Sequence, residues 1–191
     1  MKIRSFLAFE LPIEIKEIVA RVSGEIRRYH LDVRWVKVDN IHLTVVFMGD
    51  IHTEELKSIK ERVKKSCFKY APFEISLQGV GFFPNRRNPQ VLWLGLNGAL
   101  ERISFFRNSL QKGLKSFGVK QEKRRFKPHL TLGRFRKSKG RDSLPDELIT
   151  RYKYPASPIC PLNELVLFKS ELQPGGAVHT KLESWRLTGK K

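Results

Sequence analysis

The tripeptide His-Leu-Thr occurs twice in this chain, at residues 42–44 and 129–131. Each copy lies inside a short run rich in apolar residues, at 41–47 and 129–134. Runs of this length, bounded by polar, proline or glycine positions, are typical of β-strands. Because residues i and i+2 of a strand point to the same face, the histidine and threonine of each copy should project together. We therefore expect a fold that brings two similar strands face to face.

The elements around the two copies predict an α+β fold. Each His-Leu-Thr strand follows a long amphipathic helix, and the two histidines are 87 residues apart. We predict a single bilobal domain over residues 1–191, built from two pseudo-symmetric lobes of antiparallel sheet. The helices should lie on the outer faces, with an active-site cleft between the lobes.

The charge of the chain favours a polyanionic partner. It contains 37 Lys and Arg against 19 Asp and Glu, a formal net charge of +18. Such an excess is typical of proteins that bind nucleic acid or an acidic membrane surface, although a solvated basic surface has the same composition. Residues 120–141 carry ten basic side chains and one acidic side chain, Glu122. We interpret this segment as a track for a nucleic-acid backbone, with a solvated loop as the alternative.

Membrane and secreted proteins fit the sequence less well. No segment approaches the roughly 18 uncharged apolar residues that a membrane span needs. The first ten residues lack the apolar core and cleavage site of a signal peptide and are predicted to form a strand. Cys67 and Cys160 are too few for a disulfide framework and have no metal-site spacing, which predicts a cytoplasmic protein. The sequence does not decide whether these two cysteines form a disulfide with each other.

Two histidines that face each other can move two protons in opposite directions. An unperturbed imidazole has a pKa of about 6.5, so near neutral pH one ring can act as a base and the other as an acid. Phosphodiester hydrolysis needs such a pair, and the hydroxyls of Thr44 and Thr131 can donate hydrogen bonds to phosphate oxygens. A catalytic zinc needs three protein ligands, and neither His42 nor His129 shares a short motif with Asp, Glu or Cys. We expect neither a metal nor a cofactor.

One such histidine in a strand would more often be structural than functional. Two copies of the same tripeptide in the same strand context are improbable by chance, which favours function. His30, His52 and His179 have no comparable partners in the sequence and are predicted to be structural.

These motifs resemble the 2H phosphoesterase superfamily, and most closely its RNA 2′,3′-cyclic phosphodiesterase branch, first described as 2′-5′ RNA ligases. The similarity runs almost from end to end of the chain. It is carried by residues 6–12, Trp35, residues 40–44, 47–49, 127–134 and 167–172.

The resemblance implies hydrolysis of an RNA 2′,3′-cyclic phosphate to a 2′-phosphomonoester, without metal or ATP. Reverse 2′-5′ ligation is a second activity that it implies. His42 would donate a proton to the leaving 3′ oxygen and His129 would accept one from water, although the near-equivalent motifs do not themselves assign acid and base. The expected partner is RNA with 2′,3′-cyclic phosphate ends, such as tRNA fragments or oligonucleotides, bound by a monomer.

The same resemblance implies that Thr44, Thr131 and Arg134 bind phosphate oxygens and that Phe47 stacks on a base. Phe47 and Arg134 each lie five positions after their histidine, and this odd spacing points a side chain away from the cleft on a flat strand. A bulge or strand end near Gly133 and after Val46 would reconcile this odd spacing with the implied binding roles. The alternatives are a core role for Phe47 and a surface charge for Arg134.

The segment 82–87 is aromatic and basic, and it is predicted to be a loop that gives stacking and charge to a single-stranded RNA end. Two adjacent phenylalanines are as often part of a core. The second hypothesis for the whole chain is a non-catalytic RNA-binding protein that uses its basic face.

Overall fold

An antiparallel sheet with helices against one of its faces forms the body of the protein. The computed structural model describes residues 1–122, 124–136, 146–153, 157–174 and 176–191. The strands are β1 (Lys2–Glu10), β2 (Val33–Trp35), β3 (His42–His52), β4 (Phe73–Phe83), β5 (Val91–Gly98), β6 (His129–Phe135), β7 (Cys160–Leu162), β8 (Glu164–Gln173) and β9 (Gly176–Arg186). The helices are α1 (Ile13–Arg27), α2 (Leu56–Cys67), α3 (Leu100–Leu114) and α4 (Asp146–Arg151). The predicted α+β class is confirmed.

The strand order places the two motif strands at the centre of the sheet. The order is β7-β4-β5-β6-β3-β1-β8-β9, and β2 pairs with the far end of β6. The central strands meet where Leu43 of β3 pairs with Leu130 of β6. In the sheet, β1, β8 and β9 lie beyond β3 on one side, and β5, β4 and β7 lie beyond β6 on the other. This arrangement agrees with two similar halves. The halves are joined in one sheet, and their delimitation as a single bilobal domain over 1–191 stays a prediction.

The helices cover the sheet face to which Leu43 and Leu130 point. The buried positions of α1 follow its predicted apolar stripe, and both leucines belong to the same large core. The helix begins at Ile13, directly after Pro12, whose missing N–H leaves no helical hydrogen bond unmade there. A second, smaller apolar cluster lies on the opposite face of the sheet. It consists of Phe6, Ala8, Val166 and Phe168.

The predicted loop at 82–87 is only partly a loop. Phe82 and Phe83 are the last residues of β4, and they point to opposite faces of the sheet. Phe82 packs against the large core, whereas Phe83 lies on the other face. In the predicted basic track, Lys123 and residues 137–141 lie outside the described residues. None of the helices in the described ranges is long and apolar enough to cross a membrane.

Candidate active site

The register pair between β3 and β6 brings the two His-Leu-Thr motifs side by side. Its two leucines are buried in the core, so the residues that flank them point to the opposite face of the sheet. Because the strands run antiparallel, His42 lies on the same side of this pair as Thr131, and Thr44 lies on the same side as His129. We call the sheet face that carries these four side chains the motif face.

Each motif histidine donates a hydrogen bond to a backbone carbonyl two residues earlier. The Nδ1 atom of His42 lies 2.8 Å from the carbonyl oxygen of Asn40, and that of His129 lies 2.7 Å from the carbonyl oxygen of Lys127. A carbonyl oxygen only accepts, so its partner assigns the proton to Nδ1 in both rings. In both rings Nε2 is thereby the nitrogen that can take up or release a proton.

Burial lowers the pKa of both histidines. For His42, burial followed by the nearby His179 lowers the pKa to about 4, against the upward effects of the Asn40 carbonyl and the Glu10 carboxylate. For His129, burial lowers the pKa, and the positive charge of Arg134 lowers it further. Both rings are therefore neutral near pH 7 in the unliganded site.

Aromatic rings surround His42 and account for the effect of burial. The ring of Phe6 stacks on His42 with centroids 4.8 Å apart, and Phe168 stacks on Phe6 at 5.1 Å. The imidazole of His179 meets that of His42 edge to face at 5.5 Å. The aromatic rings of the smaller apolar cluster thus pack against His42.

His129 packs against aromatic rings from the other half of the sheet. Phe83 meets it edge to face at 4.8 Å, and the centroid of Trp93 lies 6.2 Å away. The indole of Trp93 lies over Gly81, where an added Cβ atom would come within 2.2 Å of the ring. Glycine at position 81 therefore leaves the space in which Trp93 packs.

Phe47 reaches the motif face because β3 carries a bulge. The register between β1 and β3 shifts after Thr44, where Val45 is an extra residue. Phe47 then pairs with Phe6, whose ring also stacks on His42. Its side chain is 68% exposed, which contradicts the core alternative.

Arg134 reaches the same face by an equivalent bulge in β6. The register between β5 and β6 shifts after Thr131, where Leu132 is the extra residue. Arg134 then pairs with Val91, which shares a face with Trp93, the partner of Thr131. Both bulges lie three positions after the histidine of their motif, so the two halves use one local geometry. The structure therefore brings all six predicted site residues to one face.

In the described part of the chain, neither a cluster of metal-ligating side chains nor a disulfide is present. No group of three or more His, Cys, Asp or Glu side chains is placed to hold a metal among those residues. Cys67 and Cys160 are both buried and free, so the disulfide that the sequence left as a possibility does not form.

Residues 14–174 match the family model of the 2′-5′ RNA ligase superfamily. The chain belongs to this superfamily. It is 35% identical to a protein of Methanothermobacter thermautotrophicus named RNA 2′,3′-cyclic phosphodiesterase, over 98% of this chain and 100% of that protein. A protein of the same name from Archaeoglobus fulgidus is 32% identical, over 94% of this chain and 97% of that protein.

Solved structures agree with this membership. The crystal structure of TT0787 of Thermus thermophilus superposes with a TM-score of 0.83 and 27% identity, over 98% of this chain and 100% of that one. Escherichia coli LigT complexed with 3′-AMP gives a TM-score of 0.78 and 26% identity, over 98% of this chain and 99% of that one. The resemblance predicted from the motifs is confirmed.

Two residues that neighbour His42 in this superfamily member, His179 and Glu10, are not marked as site residues by any local sequence pattern. His179, predicted to lack partners, contacts the ring of His42, and its buried Nδ1 makes no hydrogen bond within the described residues. Glu10 is the register partner of His42 in β1, and its carboxylate lies 2.5 Å from the ammonium group of Lys181. Only the strand order, in which β1, β8 and β9 follow β3 one after another, brings these residues to the site.

Proposed function

We propose that this protein hydrolyses the 2′,3′-cyclic phosphate ends of RNA to 2′-phosphomonoesters, with His42 as the proton donor and His129 as the proton acceptor. One observation carries the proposal. On adjacent strands two histidines each donate Nδ1–H to a backbone carbonyl, which leaves two equivalent Nε2 atoms on one face of the sheet. The names of the relatives from M. thermautotrophicus and A. fulgidus support this substrate class.

In the proposed reaction the two imidazoles act in opposite directions. Nε2 of His129 takes a proton from water while the water oxygen forms a bond to phosphorus. The bond between phosphorus and the 3′ oxygen breaks, and Nε2–H of protonated His42 gives its proton to that oxygen. The product keeps its phosphate on the 2′ oxygen, and exchange with solvent restores both rings. If the 5′ hydroxyl of a second RNA attacks phosphorus in place of water, the same breakage of the bond to the 3′ oxygen gives a 2′-5′ linkage, a ligation that needs no ATP.

The surroundings of His129 support its assignment as the base, whereas His42 needs the substrate to act as the acid. Burial and then the nearby His179 lower the pKa of His42 by more than the carboxylate of Glu10 raises it. The guanidinium of Arg134 acts to lower the pKa of His129, which favours the neutral ring that a base needs. The negative charge of a bound cyclic phosphate raises the pKa of His42 above its value of about 4 in the unliganded site.

The remaining predicted residues take binding roles in this proposal. The hydroxyls of Thr44 and Thr131 each lie beside the histidine of the other motif and donate hydrogen bonds to the phosphate oxygens. Arg134 neutralises the phosphate, and the exposed ring of Phe47 stacks on the terminal base. The proposal uses no metal or cofactor and describes a cytoplasmic enzyme acting as a monomer.

The test is turnover of an oligonucleotide that ends in a 2′,3′-cyclic phosphate, with and without EDTA. We expect a 2′-phosphomonoester as the product and equal rates in both conditions. A 3′-phosphomonoester, or a strict requirement for a divalent metal, would contradict the scheme. Binding of the same RNA without turnover would support the alternative of a non-catalytic RNA-binding protein.

A further inference from the structure

Arg34 of β2 and Arg134 of β6 stand directly opposite each other in the sheet. They are register partners in an antiparallel pair, so their side chains share a face and start about 5 Å apart. That face is the motif face, because Arg134 lies there with Thr131. Both side chains are exposed.

Two like charges placed opposite each other repel and weaken the pairing of their strands. In the described part of the chain, neither arginine forms an ion pair with a carboxylate. Backbone at the start of β9 lies beside Arg34. The Nη2 atom of Arg34 lies 3.8 Å from the point where a Cβ atom on Gly176 would stand. Among the described residues, no carboxylate thus competes with an external anion for either guanidinium group.

The two arginines are not equivalent with respect to the histidines. Arg134 is close enough to His129 to lower its pKa. Arg34 is not among the groups that shift the pKa of His42 or His129. Arg134 stands on the same strand as His129, whereas Arg34 stands on the neighbouring strand β2.

We propose that Arg34 binds the internucleotide phosphate next to the cyclic phosphate, so that the site prefers RNA oligonucleotides to cyclic mononucleotides. This inference rests on the proposed function, in which Arg134 holds the cyclic phosphate. The guanidinium group forms charge-assisted hydrogen bonds to a phosphate, and consecutive phosphates of a strand are one nucleotide apart. Two long arginine side chains on neighbouring strands can reach two such groups at once.

The test compares three substrates that end in the same cyclic nucleotide. The first is the cyclic mononucleotide, the second a dinucleotide with one phosphate linkage, and the third the same dinucleotide with an uncharged methylphosphonate linkage. Arg34→Gln should lower kcat/KM for the second substrate by about tenfold, the size of one charge-assisted hydrogen bond, and leave the other two unchanged. Arg28→Gln, which removes the same charge at the exposed end of α1, is the control and should change none of them.

Two outcomes would overturn the inference. An equal loss on all three substrates would assign Arg34 to the cyclic phosphate itself, and no loss on any would exclude contact with the substrate. If the unaltered protein turns over none of the three, the proposed function fails instead. Equilibrium binding of the same three molecules then decides the role of Arg34, since only the charged dinucleotide should lose affinity.

Discussion

Phe47 lies on the same face of the sheet as His42, although the alternation of a regular strand would place them on opposite faces. The extra residue Val45 between them produces this arrangement. The ring of Phe6 contacts both side chains, with its centroid 4.8 Å from that of His42 and 6.4 Å from that of Phe47. An exposed aromatic ring thereby lies on the same face as His42, the proposed proton donor, which suits a ring that positions a base.

Replacement of Phe47 by alanine should weaken the binding of RNA ends without unfolding the protein. One base stacked on an aromatic ring contributes about 1–3 kcal/mol, so kcat/KM should fall about tenfold or more. The free energy of unfolding should change little, because the side chain is 68% exposed. Steady-state kinetics and urea titration measure the two quantities.

The matched control for this variant is Phe68→Ala. Phe68 follows α2 on the helical side of the protein and is also largely exposed, at 52%. Its loss should leave kcat/KM unchanged. Equal effects of the two substitutions would contradict a stacking role for Phe47.

Replacement of either motif histidine by alanine should abolish most turnover while RNA binding persists. General acid–base catalysis contributes about 10²–10⁴-fold per group, so kcat should fall by about that factor in His42→Ala and in His129→Ala. His52→Ala, at the exposed end of β3, is the control and should keep the activity. Unchanged turnover in both motif variants would contradict the two-histidine scheme.

The His-Leu-Thr repeat was sufficient to predict that the histidine and threonine of each copy share a face, because alternation along a strand is a local property. It did not predict that β3 and β6 pair side by side in one sheet, which brings the four side chains together. The conflict at Phe47 and Arg134 also predicted a bulge or a strand end near Gly133 and after Val46. Both irregularities are bulges, one at Leu132 next to Gly133 and one at Val45, just before the predicted position.

The rest of the site depends on contacts between distant parts of the chain. His179 meets His42 only because β9 lies beside β8 and β8 beside β1, an order that no local pattern encodes. The short edge strand β7 was not predicted either. It has three residues, and its Pro161 suppresses the strand pattern although proline is tolerated at a sheet edge.

The pKa of about 4 at His42 makes the stability of the fold depend on pH. In the unfolded chain a histidine takes up a proton as the pH falls through about 6.5, whereas the folded chain resists this until the pH nears 4. The unfolded state therefore binds more protons in this window, and the free energy of unfolding falls as the pH falls. His42→Gln should remove about 3 kcal/mol of that fall between about pH 7 and pH 4.

Urea titrations of both proteins at several pH values in this window measure the effect. His52→Gln is the control, because it removes an exposed histidine at the other end of the same strand. Its pH dependence should match that of the unaltered protein. Parallel curves for His42→Gln and the unaltered protein would show that His42 is not protected from protonation by the fold.

Arg134 should control the protonation of His129 as well as the binding of phosphate. Its positive charge lowers the pKa of His129, so Arg134→Gln should raise that pKa, whereas Arg134→Lys keeps the charge and should raise it less. NMR titration of the His129 ring in the unliganded protein measures the shift directly. Because the base must be neutral to accept a proton, Arg134→Gln should also lower kcat/KM. A lower kcat/KM with no change in the pKa of His129 would restrict Arg134 to phosphate binding and leave burial alone to lower that pKa.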